Sequence, residues 1–372
     1  MDTIKKLFRT KYKKIYDLDK TDALFVKAMR ENCEFSYNNC EDYKRILDEA
    51  QFSPSDIQTM EDLSNLPFLP TLYFKHHVLT SVPNNKLIVK ATSSGTSGNM
   101  SKIGIDLYSL MRSISMVTSV GKYHKLWSIK PVNYIIFGYK PSKSNQTAVS
   151  KTAYSFTLYA PAKSRTFALE MGPSGYKLDW DRVIKALEKC SKSNAPLRTI
   201  GFPAYTYFLL RDLKAKGMTF KMPKGSMVTL GGGWKQFYTE QPDKKEFYKL
   251  VKEVLDIDEE NIIEFFGAVE HPILYTDCKC HHFHVPAYSR IIIRDPDTMK
   301  SVPYGQIGLV NLLSPMMRST PILSVMTDDL GVLHNEECPC GAKSPWLEII
   351  GRVGIADVVT CAAGGEKYLK DN

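Results

Sequence analysis

The sequence lacks the long apolar segments that membrane and exported proteins need. No stretch of its 372 residues approaches the roughly 18 consecutive apolar residues of a membrane-spanning helix. The N-terminus has no apolar core followed by a small-residue cleavage site. Internal repeats and low-complexity linkers are absent as well. These absences predict a cytoplasmic protein, not integral to a membrane, that folds as one large domain with subdomains.

The sequence also has little concentrated charge. The formal net charge is +9, and the cations are spread along the chain apart from a denser run between Lys5 and Lys14. We interpret that run as a solvated helix face and expect no nucleic-acid partner. The eight cysteines include two Cys-x-Cys pairs, which in a cytoplasmic protein indicate metal ligands or reactive thiols before disulfides.

The first 80 residues have the apolar spacing of helices, for example at Tyr43, Ile46 and Leu47. Two prolines in Leu66–Thr71 end this segment, so residues 1–80 are predicted to form an N-terminal helical cap.

Residues 81–277 alternate between strand and helix patterns. Asp179 is a suitable N-cap for a helix with Val183, Leu187 and Cys190 on one face. Such alternation predicts an α/β fold with mainly parallel sheets, whose ligands bind beyond the carboxyl ends of the strands. The predicted strands include Tyr134–Phe137, Leu197–Ile200, Met227–Leu230 and Ile262–Phe266.

Residues 278–352 change to short alternating strands and predict a β-rich subdomain. Its predicted strands are Arg290–Arg294, Gly308–Leu313 and Ile322–Met326. The last segment, 353–372, is predicted to be a short C-terminal tail.

A stretch rich in hydroxyls and glycines follows the apolar run Leu87–Val89 and ends at Lys102. Glycine lets backbone N–H groups turn toward one point, and hydroxyls add neutral donors, so the stretch suits a phosphate cradle. It lacks the Walker spacing, and a surface turn is the alternative. The cradle residues are Ser93, Ser94, Gly95, Thr96, Ser97 and Gly98.

A second glycine cluster, Gly231, Gly232 and Gly233, follows a predicted strand and precedes Trp234. A nucleotide can approach bare backbone at such a strand end. A tight strand-to-helix turn explains the glycines equally well.

Together these elements resemble the adenylate-forming superfamily, whose members join a carboxylate to AMP and use ATP and Mg²⁺. Phe266-Gly267 and Glu270 are similar to an aromatic-Gly-x-Thr-Glu element. The resemblance implies that Phe266 stacks on adenine and that Glu270 binds Mg²⁺. Val269 stands where threonine is usual. Lys102 is expected to assist at the phosphates.

Two further elements extend this resemblance. Asp329 lies in a segment similar to Thr-Gly-Asp-Leu, which implies that its carboxylate accepts hydrogen bonds from the ribose hydroxyls. Asp328 occupies the usual glycine position. Gly351-Arg352 resembles a Gly-Arg element, and it implies that Arg352 lies near the ribose and phosphate.

Short phrases across most of the chain narrow the resemblance. They are Pro70-Thr71 with Phe74-Lys75, Ser93–Thr96, Ile200-Gly201-x-Pro203, Gly231–Lys235, His284-Val285-Pro286, Asp295-Pro296 with Thr298, and Thr327–Asp329. With these phrases the chain resembles the acyl-protein synthetase (LuxE) family, which activates a fatty acid as acyl-AMP, holds it as a thioester on its own cysteine and delivers it to a partner such as an acyl reductase. The resemblance implies an adenylate-forming large domain without a mobile C-terminal lid, and it assigns the thioester to Cys361.

The cysteine and histidine clusters resemble the phenylacetate–CoA ligase branch, whose members hold a structural zinc. The resemblance selects Cys278, His284, Cys338 and Cys340 as a closed Cys₃His site for Zn²⁺. Cys280, His281 and His282 remain alternative ligands in this cluster.

Two other functions stay open from the sequence. The first is an acyl- or aryl-CoA ligase of the phenylacetate type, which would consume free coenzyme A without Cys361. The second is a non-catalytic module that binds nucleotide or acyl groups, which the substitutions at Val269 and Asp328 favour.

Overall fold

The computed structural model describes residues 2–92, 101–140, 148–172 and 175–352. The chain forms two compact units. Unit 1 comprises Met1–Tyr123 and Gly267–Asn372, and unit 2 comprises His124–Phe266. Among the described residues, no helix is long and apolar enough to cross a membrane. The division into four sequence segments stays a prediction.

The helices follow the apolar spacing and capping signals of the sequence. Asp179 accepts a hydrogen bond from the backbone N–H of Arg182, and Pro203 occupies the first turn of its helix. The helices are α1 (Thr3–Phe8), α2 (Asp22–Asn39), α3 (Glu41–Glu49), α4 (Tyr73–His76), α5 (Leu107–Tyr123), α6 (Ala148–Phe156), α7 (Trp180–Ser191), α8 (Pro203–Ala215) and α9 (Lys244–Leu255).

The strands of the described residues fall into three sheets. They are β1 (Leu69–Pro70), β2 (Leu87–Thr92), β3 (Lys102–Asp106), β4 (Val132–Tyr139), β5 (Ala162–Gly172), β6 (Gly175–Leu178), β7 (Leu197–Gly201), β8 (Met227–Gly231), β9 (Ile262–Ala268), β10 (His271–Thr276), β11 (Phe283–His284), β12 (Arg290–Arg294), β13 (Ile307–Leu313), β14 (Ser324–His334) and β15 (Trp346–Arg352).

Unit 2 is built on a parallel sheet. Its strands follow the order β9-β8-β7-β4-β5, and the short β6 adds antiparallel to the end of β5. Strand β4 is buried almost throughout, as expected for a central strand covered on both faces. The predicted α/β fold is therefore confirmed.

Helices α7, α8 and α9 supply the apolar core of unit 2. Val183 and Leu187 from α7 and Val251 from α9 are fully buried in one cluster with strand residues such as Ile135 and Val228. The face predicted for α7 is the face that the structure buries.

Unit 1 contains the β-rich part of the chain. Strands β11-β15-β14-β13-β12 form an antiparallel sheet, and β1 pairs parallel with β14. The N-terminal segment is thus part of this sheet, since Leu69 lies opposite Val325 and Pro70 opposite Met326.

A two-stranded hairpin, β2 and β3, makes the third sheet. Thr92, the last residue of β2, lies opposite Lys102, the first residue of β3. The sequence did not predict β3, because its five residues alternate too briefly to be distinguished from the loop.

Candidate functional site

Four residues of unit 1 bring metal-ligating atoms together. Cys278 follows β10, His284 ends β11, and Cys338 and Cys340 lie in the connection from β14 to β15. Their ligand atoms all lie within 4.8 Å of one another. The antiparallel pairing of β11 with β15, with His284 opposite Trp346, brings these distant segments together.

The spacing of this cluster fits a tetrahedral ion. The sulfurs of Cys278 and Cys338 lie 3.7 Å apart, and the sulfur of Cys340 lies 3.3 Å from Nε2 of His284. Two thiolates at about 2.3 Å from a tetrahedral zinc stand about 3.8 Å apart. The residues therefore fit zinc in donor type, number and spacing.

Hydrogen bonds orient His284 for this role. Its Nδ1 lies 3.0 Å from the carbonyl oxygen of Ser344, to which a protonated Nδ1 donates. This tautomer leaves the lone pair on Nε2, which faces the sulfur of Cys340. His284 is fully buried, and burial lowers its pKa, so the neutral ligand form is favoured.

Backbone N–H groups point at two of the sulfurs. The N–H of Cys280 donates to Sγ of Cys278, and the N–H of Ala342 donates to Sγ of Cys340, each at 3.3 Å. Such bonds stabilise negative charge on a sulfur. Burial raises the pKa of the Cys278 thiol, so deprotonation there needs a cation.

Of the alternative ligands, Cys280 hydrogen-bonds the thiols of Cys338 and Cys278, and the two histidines have further partners. Nδ1 of His281 lies 2.7 Å from the carboxylate of Asp277. His282 stacks on Trp346 with ring centroids 3.7 Å apart, although its Nδ1 also approaches the sulfur of Cys338 at 3.3 Å. The resemblance had selected His284, and the structure agrees, because His284 is the histidine whose ligand atom lies with those of the three cysteines.

Glu270 lies in the short connection between β9 and β10 and is only 6% exposed. It directly precedes His271, the first residue of β10, and its role as a Mg²⁺ ligand stays a prediction.

The next residue, His271, begins a buried polar chain that the sequence analysis missed. Its Nε2 lies 3.0 Å from the hydroxyl of Tyr275, which in turn contacts Ser289. Burial lowers the pKa of His271 to about 3. A lone histidine in an apolar strand gave no signal for this arrangement.

Asp329 and Arg352 lie opposite each other on β14 and β15. The neighbouring Asp328 holds Arg352 through an ion pair of 3.2 Å and accepts a hydrogen bond of 3.1 Å from Thr71. The structure therefore brings together two residues that the sequence predicted near a ribose, and it adds Asp328 and Thr71.

In unit 2, the glycine triplet lies at the carboxyl end of β8. Gly232 has φ +89°, and a Cβ there would lie 2.8 Å from the ring of Phe202. Gly233 has φ +69°. Both positions therefore require glycine for the backbone itself, as the turn alternative proposed.

Trp234 is buried in the core of unit 2 and packs against Tyr207 and Phe247, with ring centroids 5.8 and 6.1 Å apart. Phe266 and Gly267 lie near the end of β9. A Cβ on Gly267 would lie 2.8 Å from the carbonyl oxygen of Ile273, so this position also requires glycine.

Lys102 is the first residue of β3 and is exposed. The cradle residues Ser93 to Gly98 lie outside the described residues, and so does Cys361. Their predicted roles stay predictions.

The family model for "Acyl-protein synthetase, LuxE" matches residues 12–369 of this chain. The chain belongs to this family. An acyl-protein synthetase is a ligase, and the family that the resemblance predicts is confirmed.

Curated relatives agree with the family. The chain is 25% identical over 347 residues to the long-chain-fatty-acid–luciferin-component ligase of Aliivibrio fischeri, covering 93% of this chain and 89% of that protein. It is 21% identical over 332 residues to the phenylacetate-coenzyme A ligase of Thermus thermophilus, covering 87% of this chain and 68% of that protein.

Among solved structures, this acyl-protein synthetase is similar to 2-hydroxyisobutyryl-CoA ligase in complex with its acyl-AMP. The TM-score is 0.67 at 17% identity, and the match covers 90% of this chain and 68% of that chain. An open conformation of the same ligase gives a TM-score of 0.66 at 18% identity, covering 90% and 75%. The predicted adenylate-forming fold is thus confirmed.

Proposed function

We propose that this protein activates a fatty or other carboxylic acid with ATP as acyl-AMP, then transfers the acyl group to Cys361 for delivery to a partner protein. The observation that carries the proposal is the acyl-protein synthetase match across residues 12–369. The names of the curated relatives, long-chain-fatty-acid–luciferin-component ligases, favour a long-chain acid.

In the first step, a carboxylate oxygen attacks the α-phosphorus of ATP and pyrophosphate leaves. No protein nucleophile is needed, so the protein contributes positioning and charge stabilisation. We assign the phosphates to the cradle Ser93–Gly98, with Lys102 at its end. Gly231–Gly233 would give a nucleotide close approach to backbone, and Phe266 would supply a stacking face for adenine.

Glu270 is the proposed ligand of Mg²⁺. Its position in the short connection that follows β9, the strand that carries Phe266, supports this role. The ion would supply positive charge that stabilises the phosphates during the displacement.

Asp329 is proposed to accept hydrogen bonds from both ribose hydroxyls, because its carboxylate offers two fixed acceptor oxygens. Arg352 is proposed to bind the ribose and phosphate. The ion pair with Asp328 supports this assignment, because it restricts the guanidinium to the strand pair that carries Asp329.

In the second step, the thiolate of Cys361 attacks the acyl carbon of acyl-AMP, a thioester forms and AMP leaves. A thioester is stable enough to be carried and reactive enough to be passed to a partner such as an acyl reductase.

Cys278, His284, Cys338 and Cys340 are proposed to hold a structural zinc. All four protein ligands converge, which is typical of closed structural sites rather than catalytic ones. The zinc would stabilise the β11–β15 pairing without taking part in the reaction.

An acyl- or aryl-CoA ligase is the second candidate, favoured by the similarity to the Thermus thermophilus phenylacetate-coenzyme A ligase. The two candidates differ in the thiol that accepts the acyl group. Free coenzyme A would replace Cys361 as the nucleophile.

The test is single-turnover labelling with ATP and radiolabelled acids of different chain length. The proposal expects hydroxylamine-labile label on the intact protein, its loss in Cys361→Ala, and continued formation of acyl-AMP in that variant. Cys280→Ala is the control, because Cys280 is a partly exposed thiol outside the four-residue cluster.

Release of acyl-CoA by Cys361→Ala at the wild-type rate would replace the proposal by the coenzyme A ligase. AMP binding without pyrophosphate exchange for any acid would instead favour the non-catalytic module.

A further inference from the structure

An exposed apolar turn precedes the central strand of unit 2. Leu126 is buried and anchors the turn, whereas Trp127 is half exposed and Ile129 is 95% exposed. The hydroxyl of Ser128 accepts from the N–H of Lys130 at 3.0 Å, which fixes the turn that presents Ile129. The side chain is held out by a defined conformation rather than by a loose loop.

A second segment adds to this apolar surface. The N–H of Ser128 donates to the carbonyl oxygen of Tyr159 at 3.1 Å, and the Trp127 ring meets the Tyr159 ring edge-on at 5.1 Å. Leu158, beside Tyr159, is 60% exposed. We call Trp127, Ile129 and Leu158 the apolar tip. Clustered exposed apolar side chains usually mark an interaction surface, whereas scattered ones do not.

A groove of about 740 Å³ runs along α7 beside β5 in the same unit. It exists because the apolar face of α7 packs on residues such as Ile135 and Leu197 of neighbouring strands. The first half of β5 instead carries exposed polar residues, including Lys163 and Ser164, and is left uncovered.

One end of this groove is cationic. Lys163, Lys185 and Lys189 line it, and none of them forms an ion pair with the residues that the structure describes. Lys185 and Lys189 are four residues apart on α7, where like charges repel. A bond of 3.0 Å to Ser193 holds the ammonium group of Lys163. An anion bound here would relieve the repulsion.

The carboxylates of the groove lie toward its other end. Asp179 caps α7 at the helix end away from Lys189, and Asp181 lies in the same first turn, four residues before Lys185, where it offsets part of the charge of that lysine. Because α7 runs from these aspartates to Lys189, the groove is polarised along its length.

The apolar tip and the cationic end share one edge of the sheet. Val132 begins β4 and lies opposite Ala162, the first residue of β5. Ile129 precedes Val132 by about 10 Å of chain at most, and Lys163 directly follows Ala162. Gly231 ends β8 at the opposite, carboxyl edge of the parallel sheet, so this surface is distinct from the glycine triplet.

We propose that this edge of unit 2 docks on an anionic lipid surface. Trp127, Ile129 and Leu158 insert among the lipids, and the lysines of the groove bind phosphate headgroups. This docking is peripheral and reversible, and it goes beyond the ligase reaction.

Two features favour a lipid surface over an acidic protein. Ile129 projects almost fully into solvent, which suits insertion into a fluid layer more than packing against a preformed pocket. Tryptophan is enriched at membrane–water interfaces, and lysine side chains extend from apolar surroundings toward headgroups. Charge complementarity with anionic headgroups adds to both.

The experiment is co-sedimentation of the full chain with mixed phosphatidylcholine–phosphatidylglycerol vesicles and with pure phosphatidylcholine vesicles. We expect sedimentation with the anionic vesicles only, weakened by salt, together with a blue shift of Trp127 fluorescence that Trp127→Phe abolishes. Replacing both Lys185 and Lys189 by Gln should weaken partitioning about 30-fold. Ile129→Ser should weaken it about tenfold.

Matched controls use the same changes elsewhere. Lys245 and Lys249 are also exposed and four residues apart, on α9, and replacing both by Gln should leave binding unchanged. Ile307→Ser replaces an exposed isoleucine of unit 1 and should also leave vesicle binding unchanged.

Three outcomes would overturn the proposal. One is absence of sedimentation with anionic vesicles, and another is equal weakening by the control lysine pair. The third is binding of soluble glycerol phosphate in the groove without vesicle binding, which would make it a site for a free phosphorylated ligand.

Discussion

The parallel sheet of unit 2 and the antiparallel sheet of unit 1 are stabilised by different interactions. Unit 2 packs an almost purely apolar cluster of residues such as Leu187 and Val251 against its strands. Among the described residues, the sheet of unit 1 buries two arginines, Arg290 and Arg294, whereas the sheet of unit 2 buries one, Arg198 on β7. Arg294 is 4% exposed and donates to Asn311 and to the carbonyl oxygens of Met299 and Ser64 at 2.8–2.9 Å.

This difference shows where each sheet depends on distant chain segments. Apolar packing is tolerant, since neighbours of similar size can replace one another. A buried guanidinium must find every acceptor or leave costly unsatisfied donors. Unit 1 therefore depends on particular side chains from particular segments, and its metal-ligand cluster is the extreme case.

The largest expected effect comes from removing that cluster. Cys278→Ser with Cys338→Ser should lower the zinc content from about one ion per chain to near zero, because two of four ligands are lost. The melting temperature should fall by at least about 10 °C, since metal binding is folding free energy in such sites. Metal analysis and calorimetry measure both.

Cys280→Ser is the matched control and should retain the metal, because Cys280 is outside the four-residue cluster. Full zinc content in the double variant would contradict the assignment.

Leu187→Ala probes the apolar core of unit 2. Leu187 is 1% exposed, so the change should destabilise the protein by about 3 kcal/mol through lost burial and a residual cavity. Urea unfolding measures it. The same change at Leu158, which is exposed, should cost less than about 0.5 kcal/mol. An equal loss of stability in both variants would contradict the prediction that packing in the apolar core of unit 2 stabilises the protein.

The buried His271 gives unit 1 a pH dependence. Its pKa is about 3 in the folded protein and about 6.5 when unfolded, so the unfolded chain binds more protons between these values. Stability should fall as the pH drops below 6.5. Between pH 7.5 and 5.0 the titration of this residue should lower the free energy of unfolding by about 2 kcal/mol. In His271→Phe this part of the decrease should be absent.

Urea unfolding at both pH values measures this effect. Tyr275→Phe is the control, because it removes the hydroxyl that contacts His271 but leaves the titrating ring. An unchanged slope in His271→Phe would contradict the prediction.

The smallest effect on stability is expected at Asp328. Asp328→Asn removes the charge that pairs with Arg352, and a partly exposed ion pair contributes about 0–1 kcal/mol. Under the proposed function, the KM for ATP should rise up to about tenfold with kcat nearly unchanged, because Arg352 loses its orientation. Steady-state kinetics measure this.

Thr71→Val removes only the second contact of Asp328 and should change the KM less. An unchanged KM in Asp328→Asn would limit the ion pair to a structural role.

Much of unit 2 could be predicted from the sequence. Its strands and helices carry periodic apolar residues, and Asp179 caps α7 as expected. Strand β5 escaped prediction, because the exposed polar residues of its first half, such as Lys163 and Ser164, have no apolar alternation. Strand β15 of unit 1 also escaped prediction. It is stabilised by pairing with β14, and the two strands are separated in the sequence by the connection that holds Cys338, so the local pattern of β15 does not reveal its partner.

The metal-ligand cluster also has one part that the sequence predicts and one part that only the structure shows. Resemblance to known sequences selected Cys278, His284, Cys338 and Cys340, and the structure brings them together. The choice of His284 over His282 depends on orientation. The bond to Ser344 aims one imidazole at the cluster, while stacking on Trp346 positions the other.

The sequence by itself determined the family, the α/β alternation and the residue types available for each role. These depend on local periodicity and on motifs within one segment, which chain order preserves. The tertiary structure alone decided how His284 is oriented toward the cysteines, which carboxylate holds Arg352 and where Ile129 is exposed beside the lysines of α7. Those outcomes depend on distances between segments far apart in the chain, which only strand pairing and packing set.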